Sequence, residues 1–483
     1  MSGYGIKSNG VTLMHDKEGS MDKEAAYRQC MGRLVKKYQE RTPESAKLYD
    51  KAQKYLPGGD TRTATFFDPY PVFMASGEGC RFTDVDGNVY IDFLNNYTSL
   101  IHGHAHPAIV RAVMEQVPKG ASYAAPLESQ TLLAEMICDQ MKSVEQIRFC
   151  NSGTEATMNA IRAARILTGK SKIVKMEGGY HGTHDLGELS FSPPLDQAGP
   201  VEKPRTVPQS KGTPKSICDE VIVVPFNNKG VTEKVIRENQ HEIAGVIVEP
   251  MLGAAGCIVQ EEGYLEFLRN LTRKLNLVLI FDEVVTFRFG PGGAQGIYPV
   301  DPDITAFGKI IGGGFPVGAF GGPREIMKIY SPRERGSVAQ SGTFNGNPIT
   351  MEAGIACLKA LTPEVYQRIN SLGDVLRKGI GSAFGNNGMK GSATGMCSLA
   401  WPHFNSEKVS DYRSASKGNF QAMAIVHMAL LEKGINVARR GGECSISTPM
   451  TENDVHAFVT AFEESLSEVR PFVEQTTPDL IVK

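Results

Sequence analysis

The chain has 483 residues, 41% of them apolar and 22% charged, with a formal net charge of -2. That length exceeds one small core and predicts a large domain with a smaller one, while the near-neutral charge excludes a general attraction for nucleic-acid phosphates or an anionic bilayer. The nine cysteines form no C-x-x-C pair, which reads as reduced thiols in a cytoplasmic protein, and no run of about 18 apolar residues predicts a membrane span.

In chain order, residues 1–20 lack the apolar stretch of a signal peptide and read as a loosely ordered leader. From about 22 to 55 the apolar spacing predicts two helices, with Thr42-Pro43 as the start of the second. The alternation in FMASGEGCRFTDVDGNVYIDFLNN predicts a hairpin turning at Asp86-Gly87. Short strands alternating with helices follow: 147–152, 172–177, 220–226, 243–250, 277–284 and 317–322. Runs such as VIVV and LVLIF show no polar alternation, which predicts a mostly parallel α/β sheet covered on both faces. Residues 185–218, rich in Pro, Ser and Gly, read as an extended loop, and helical periodicity returns from about 350. These features divide the chain into the leader, a small-domain part at 21–95, a large domain at 96–345 and a C-terminal small domain at 346–483.

Three stretches have the residue types for chemistry. NSGTEA (151–156) opens a helix after a strand; its Ser-Gly-Thr turn suits a phosphate and equally suits an ordinary helix cap. LVLIFDEV ends a buried strand on Asp282, a carboxylate that needs a partner: a protonated heterocyclic nitrogen, a salt bridge or a helix N-terminus. FGKIIGGGFPVGAFGG sets Lys309 beside three glycines. Desolvation there makes the amine a nucleophile toward a carbonyl, against the plainer reading of a lysine snorkelling to solvent. It is no phosphate-binding P-loop, because Ile310 stands where Ser or Thr is required. Together the three supply anchors for the phosphate, ring nitrogen and aldehyde of pyridoxal phosphate.

NSGTEA, GGYHG, VEP, FDEV, FGKIIGGGFPVGAFGG and GTFNGNP, in that order, resemble the class III aminotransferases from about Pro57 onward. Within that class the chain is most similar to the β-amino acid (β-phenylalanine type) aminotransferases and the glutamate-1-semialdehyde aminomutases. The resemblance implies the fold of type I pyridoxal phosphate enzymes: a large domain with a mostly parallel seven-stranded sheet and a smaller α/β domain from both chain ends. It implies that Lys309 carries the cofactor as a Schiff base and shuttles the proton, and that Asp282 keeps the ring nitrogen protonated. Val284 and Tyr180 would flank the ring, with His181 supporting Tyr180. Ser152, Gly153 and Thr154 would hold the phosphate, Glu249 would sit near the cofactor, and the glycines after Lys309 would make space for the ring.

Thr343 would reach the phosphate of a neighbouring subunit, implying a homodimer with shared sites. Arg62 and Arg440 would bind substrate carboxylate, and Phe287 and Phe289 either shape an aromatic pocket or simply pack. His102, His104 and His106 alternate like metal ligands but read as a turn. The Ala438-Arg439-Arg440-Gly441 pattern points to a transaminase passing an amino group from a β-amino acid or related amine to a 2-oxo acid by ping-pong kinetics. An aminomutase or racemase on the same scaffold is the alternative.

Overall fold

The structure is a computed structural model and describes residues 17–439 and 442–482, without the side chains of residues 17–22. Seven strands form the central sheet, in the spatial order Gln146–Cys150, Gly318–Gly322, Ile304–Gly308, Val278–Asp282, Ile243–Val248, Lys172–Met176 and Val221–Val224. Parallel pairing runs from Ile304–Gly308 through Val221–Val224, while Gly318–Gly322 is antiparallel to both of its neighbours.

Strict alternation along these strands feeds two separate cores, which is why the sequence pattern is continuously apolar. Val174, Val246, Leu279 and Phe281 pack on one face with Leu265 and Leu268 of the helix Tyr264–Leu275. Ile173, Ile247, Ile280 and Ile304 pack on the other with Ile161 and Ala164 of the helix Gly153–Thr168. The six expected strands are present with somewhat shorter bounds. Ile304–Gly308 was not among them, because five residues after Asp301-Pro302-Asp303 merge into the glycine-rich stretch that follows.

The two early helices are Lys17–Arg41, which begins inside the expected leader, and Pro43–Ala52. The hairpin forms as expected, with Arg81–Asp84 antiparallel to Val89–Asp92 around Asp86-Gly87. Ile435–Asn436 then adds in parallel to Val89–Asp92, so residues near the two chain ends share one sheet. The helices Pro363–Asn386 and Glu452–Thr476 pack together, and Lys17–Arg41 lies on Glu452–Thr476 and Phe420–Glu432. The expected loop 185–218 holds the short helices Asp185–Glu188 and Lys215–Cys218.

Candidate active site

Ser152 leaves the first strand in extended backbone and caps the helix Gly153–Thr168, its Oγ accepting from Glu155 N at 3.1 Å. The capping use is therefore real, and it leaves the N–H groups of Gly153 and Thr154 at the positive helix end. Thr154 Oγ1 accepts from Thr183 N at 3.1 Å. Gly182 crosses so closely in a left-handed conformation (φ 94°) that an added Cβ would lie 2.5 Å from Thr154 Oγ1. A Cβ on Gly153 would meet both Val284 methyls at 3.1 Å, and one on Gly308 would lie 3.3 Å from Val284 Cγ1. The Ser152-Gly153-Thr154 turn, the last glycine of GGYHG, Val284 and the residue before Lys309 thus surround one small space.

At the end of Val278–Asp282 the two acids diverge. Asp282 Oδ2 lies 2.9 Å from His181 Nδ1, and Oδ1 accepts from Val284 N at 3.1 Å. Burial raises the Asp282 pKa to about 7, against the downward pull of the Val284 N–H and of Lys309. Burial and Lys175 lower that of His181 to about 3, so a neutral imidazole is hydrogen-bonded to Asp282. No arginine or lysine forms an ion pair with Asp282 among the described residues, and His181 Nε2 is buried without a partner among them. Glu283 turns the other way, accepting from Ala294 N (2.8 Å), Gln295 N (3.2 Å) and Thr286 Oγ1 (2.7 Å). It anchors a loop.

Lys309 follows Ile304–Gly308 in the left-handed region, with φ 52°. For a residue with a side chain that conformation is costly and persists only where neighbours enforce it. Burial lowers its pKa, opposed by Glu443, Glu249 and Asp282 and assisted by Arg288. The glycines after it lie close against other parts of the chain. A Cβ on Gly313 (φ 59°) would lie 2.4 Å from the Ala353 carbonyl oxygen, so this glycine seats the turn against the helix Pro348–Lys359.

Glu249 Oε1 accepts from Tyr180 N at 2.9 Å and Oε2 from Gly253 N at 3.0 Å; burial raises its pKa to about 7. Tyr180 is 37% exposed, its ring 4.9 Å from that of Phe191. His181 supports Asp282 rather than Tyr180, since its bonded nitrogen faces the carboxylate.

Arg62 is exposed, bonding Asn96 Oδ1 at 2.8 Å with its guanidinium 5.7 Å from the centre of the Tyr97 ring. Asn95, Asn96, Tyr97 and Thr98 are all left-handed, a strained turn secured by Asn95 Nδ2 to Ser445 O (2.8 Å) and by Arg288 Nη1 to Thr98 O (3.1 Å). Thr343 is exposed, in a segment tied to the phosphate turn by Asn151 Nδ2 to Asn345 Oδ1 at 2.8 Å. Arg440 lies outside the described residues; its neighbour Arg439 donates to Phe66 O.

Phe287 and Phe289 are buried in two different hydrophobic clusters, so both take part in packing. His102 binds Cys357 O and Thr448 Oγ1, while His104 binds Asp92. Three charged groups escaped the sequence reading. Glu443 is buried near Lys309 and Arg288. Arg288, fully buried, reaches Thr98 O, Ile446 O and Ser398 Oγ. Lys175 is fully buried, donating to Gly187 O and Leu189 O, and burial lowers its pKa to about 7. The available signal was a lysine inside the apolar strand KIVKM.

No helix among the described residues is long and apolar enough to cross a membrane. The donor set fits pyridoxal phosphate: helix-end N–H groups with hydroxyls for phosphate, a buried carboxylate without a cationic side-chain partner for a protonated ring nitrogen, and a desolvated amine for an aldehyde.

The chain matches the family model "Aminotransferase class-III" over residues 64–455. It is 41% identical over 429 residues to the glutamate-1-semialdehyde 2,1-aminomutase of Methanothermobacter thermautotrophicus, covering 88% of this chain and 100% of that one. An ω-transaminase structure from Sphaerobacter thermophilus is 41% identical with a TM-score of 0.83, covering 88% and 98% of the two chains. A β-phenylalanine aminotransferase structure from Variovorax paradoxus is 33% identical with a TM-score of 0.83, covering 94% and 98%. A family match over most of the chain and a likeness covering whole relatives show that the chain belongs to the class-III aminotransferases, which are pyridoxal-phosphate-dependent enzymes.

Proposed function

We propose that the chain moves an amino group between adjacent carbons of one carboxylate-bearing substrate, as its aminomutase relatives are named for doing, with Lys309 as the acid-base group. The observation that carries the amino-transfer chemistry is Lys309 itself: a desolvated amine in an enforced left-handed turn, near a buried Asp282 that pairs with no arginine or lysine among the described residues. The aminomutase reading draws on a likeness spanning the whole length of a curated relative.

Bound pyridoxal phosphate supplies an aldehyde that captures amines and a ring that takes up carbanion charge. Ser152, Gly153 and Thr154 hold its phosphate, and Val284 and Tyr180 flank the ring. Asp282, oriented by the neutral His181, keeps a negative charge beside the ring nitrogen. Lys309 Nζ takes the proton from the substrate carbon bearing nitrogen and returns one to an adjacent position. Arg62 binds the substrate carboxylate at the rim, with Arg440 a candidate beside it. We further infer a homodimer that brings Thr343 to the partner's phosphate; supporting this, Thr343 and the neighbouring Phe344, 59% exposed, are uncovered in the single chain.

The second reading is transamination of a β-amino acid or related amine with a 2-oxo acid. It is favoured by the ω-transaminase, whose 41% identity equals that of the aminomutase. One assay separates them. Holoenzyme given glutamate-1-semialdehyde alone should convert it without any acceptor; absence of conversion, with turnover only when a 2-oxo acid accompanies a β-amino acid, would replace the first reading by the second.

A further inference from the structure

The turn Gly178–His181 carries Tyr180 and His181, and what holds it comes from far along the chain. Gly178, left-handed at φ 84°, donates its N–H to Ser190 O at 2.9 Å. A Cβ there would lie 2.7 Å from Tyr412 Cβ, so Tyr412 sits directly on the turn. Tyr412 Oη donates to Pro193 O at 2.8 Å. Arg413 forms a two-pronged pair with Glu177, the residue before the turn, at 2.7 Å (Nε to Oε2) and 2.9 Å (Nη2 to Oε1). Its remaining donors reach Gly199 O at 2.8 Å and Ala198 O at 3.3 Å.

The Glu177 side chain is 2% exposed and that of Arg413 15%. The short helix carrying Arg413, Tyr412–Ala415, is closed at its start by a reciprocal cap between Asp411 and Ser414. Phe191, on the segment that Tyr412 and Arg413 grip, lies against the Tyr180 ring. Residues 190–199 and 411–415 therefore meet at one turn, and the fork of Arg413 joins all three segments.

We infer that Arg413 is a positioning residue: through Glu177 and the 190–199 segment it sets the plane of Gly178 and thereby the pose of Tyr180 against the cofactor ring. A planar fork with two fixed contacts to a carboxylate defines direction as well as charge, which a lysine cannot do. This rests on the pyridoxal phosphate site described above. A merely structural pair needs only compensated charge, and an uncharged pair of similar size serves that purpose equally well.

The test compares holoenzymes of the wild type, Arg413→Lys, Arg413→Met and the double variant Glu177→Gln with Arg413→Met. Readouts are thermal midpoint, kcat, and the visible circular dichroism of the bound cofactor, which reports its asymmetric surroundings. Arg413→Met should lower the midpoint and weaken the visible signal, and kcat should fall about tenfold to a hundredfold, as for a slight misplacement at a reacting centre. The double variant, free of the buried unpaired carboxylate, should recover the midpoint without recovering the visible signal or kcat. Arg413→Lys should behave in the same way. Recovery of all three readouts in the double variant, or an unaltered visible signal in Arg413→Lys, would overturn the inference. A wild type with no visible band after incubation with pyridoxal phosphate would instead overturn the cofactor reading beneath it.

Discussion

The floor of the site and its rim are built differently. Asp282, His181, Glu249 and Lys309 stand at the ends of neighbouring strands or in the turns just beyond them, and the first three are almost fully buried. Main-chain N–H groups or a neutral imidazole hold each buried carboxylate, and a constrained left-handed turn aims the amine. At the rim, Arg62 and Tyr180 are exposed and come from separate connecting segments. The floor is rigid because the sheet over-determines it, which suits proton transfer. The rim is open surface, where the proposed substrate contacts lie. Chemistry and selectivity should therefore respond to substitution separately.

The largest effect should come from the floor. Lys309→Ala removes the only amine proposed to move the proton, and turnover should fall by about ten-thousandfold with cofactor still bound. Turnover that survived would place the acid-base group elsewhere and erase the distinction between floor and rim.

Asp282→Asn should lower kcat by about a hundredfold, by removing a fixed charge opposite the ring nitrogen. It also carries a pH signature. Burial raises the Asp282 pKa to about 7 in the folded chain, far above the ordinary carboxylate value. The folded state thus binds this proton more tightly than the unfolded state, and stability drains as pH rises from about 4 to 7. The neutral asparagine lacks that loss. In cofactor-free protein, the thermal midpoint of Asp282→Asn relative to the wild type should therefore rise steadily between pH 4 and pH 8. A difference that stays constant with pH would show that the carboxylate is not desolvated.

Arg288→Met tests what joins floor to rim. It frees the Thr98 carbonyl of the strained turn and leaves Glu443 buried with less compensation. Unfolding by urea should show a loss of about 3 to 5 kcal/mol; a loss below about 1 kcal/mol would mean the strained turn is held by other contacts.

The smallest effect belongs to the rim. Arg62→Ala should raise KM about tenfold for substrates bearing a carboxylate and leave kcat, and amines without that group, almost unchanged. An equal change for both kinds of substrate would show that the arginine supports structure, through Asn96 and Tyr97, rather than selecting substrate.

Much of the floor was legible because its parts are local. An apolar run ending in Asp282, a Ser-Gly-Thr turn before a helix and a lysine among glycines each announce their backbone setting. His181, Glu443 and Arg288 were missed or misassigned because their roles are set by what lies opposite, not by what lies beside them in sequence. His181 and Asp282 are 101 residues apart. The strand Ile304–Gly308 was missed for a related reason: its short apolar core borrows definition from Val278–Asp282 and Gly318–Gly322 on either side.

The sequence by itself determined the sheet class, the hairpin and the helix start at Ser152, since periodicity, turn chemistry and helix capping act within a few residues. Only the tertiary structure decided that Asp282 meets His181 while its neighbour Glu283 anchors a loop, and that the glycines after Lys309 serve packing. It alone decided that Arg413 grips Glu177 from 236 residues away. Burial and the pairing of buried charge depend on which surfaces meet, and distance along the chain does not encode that.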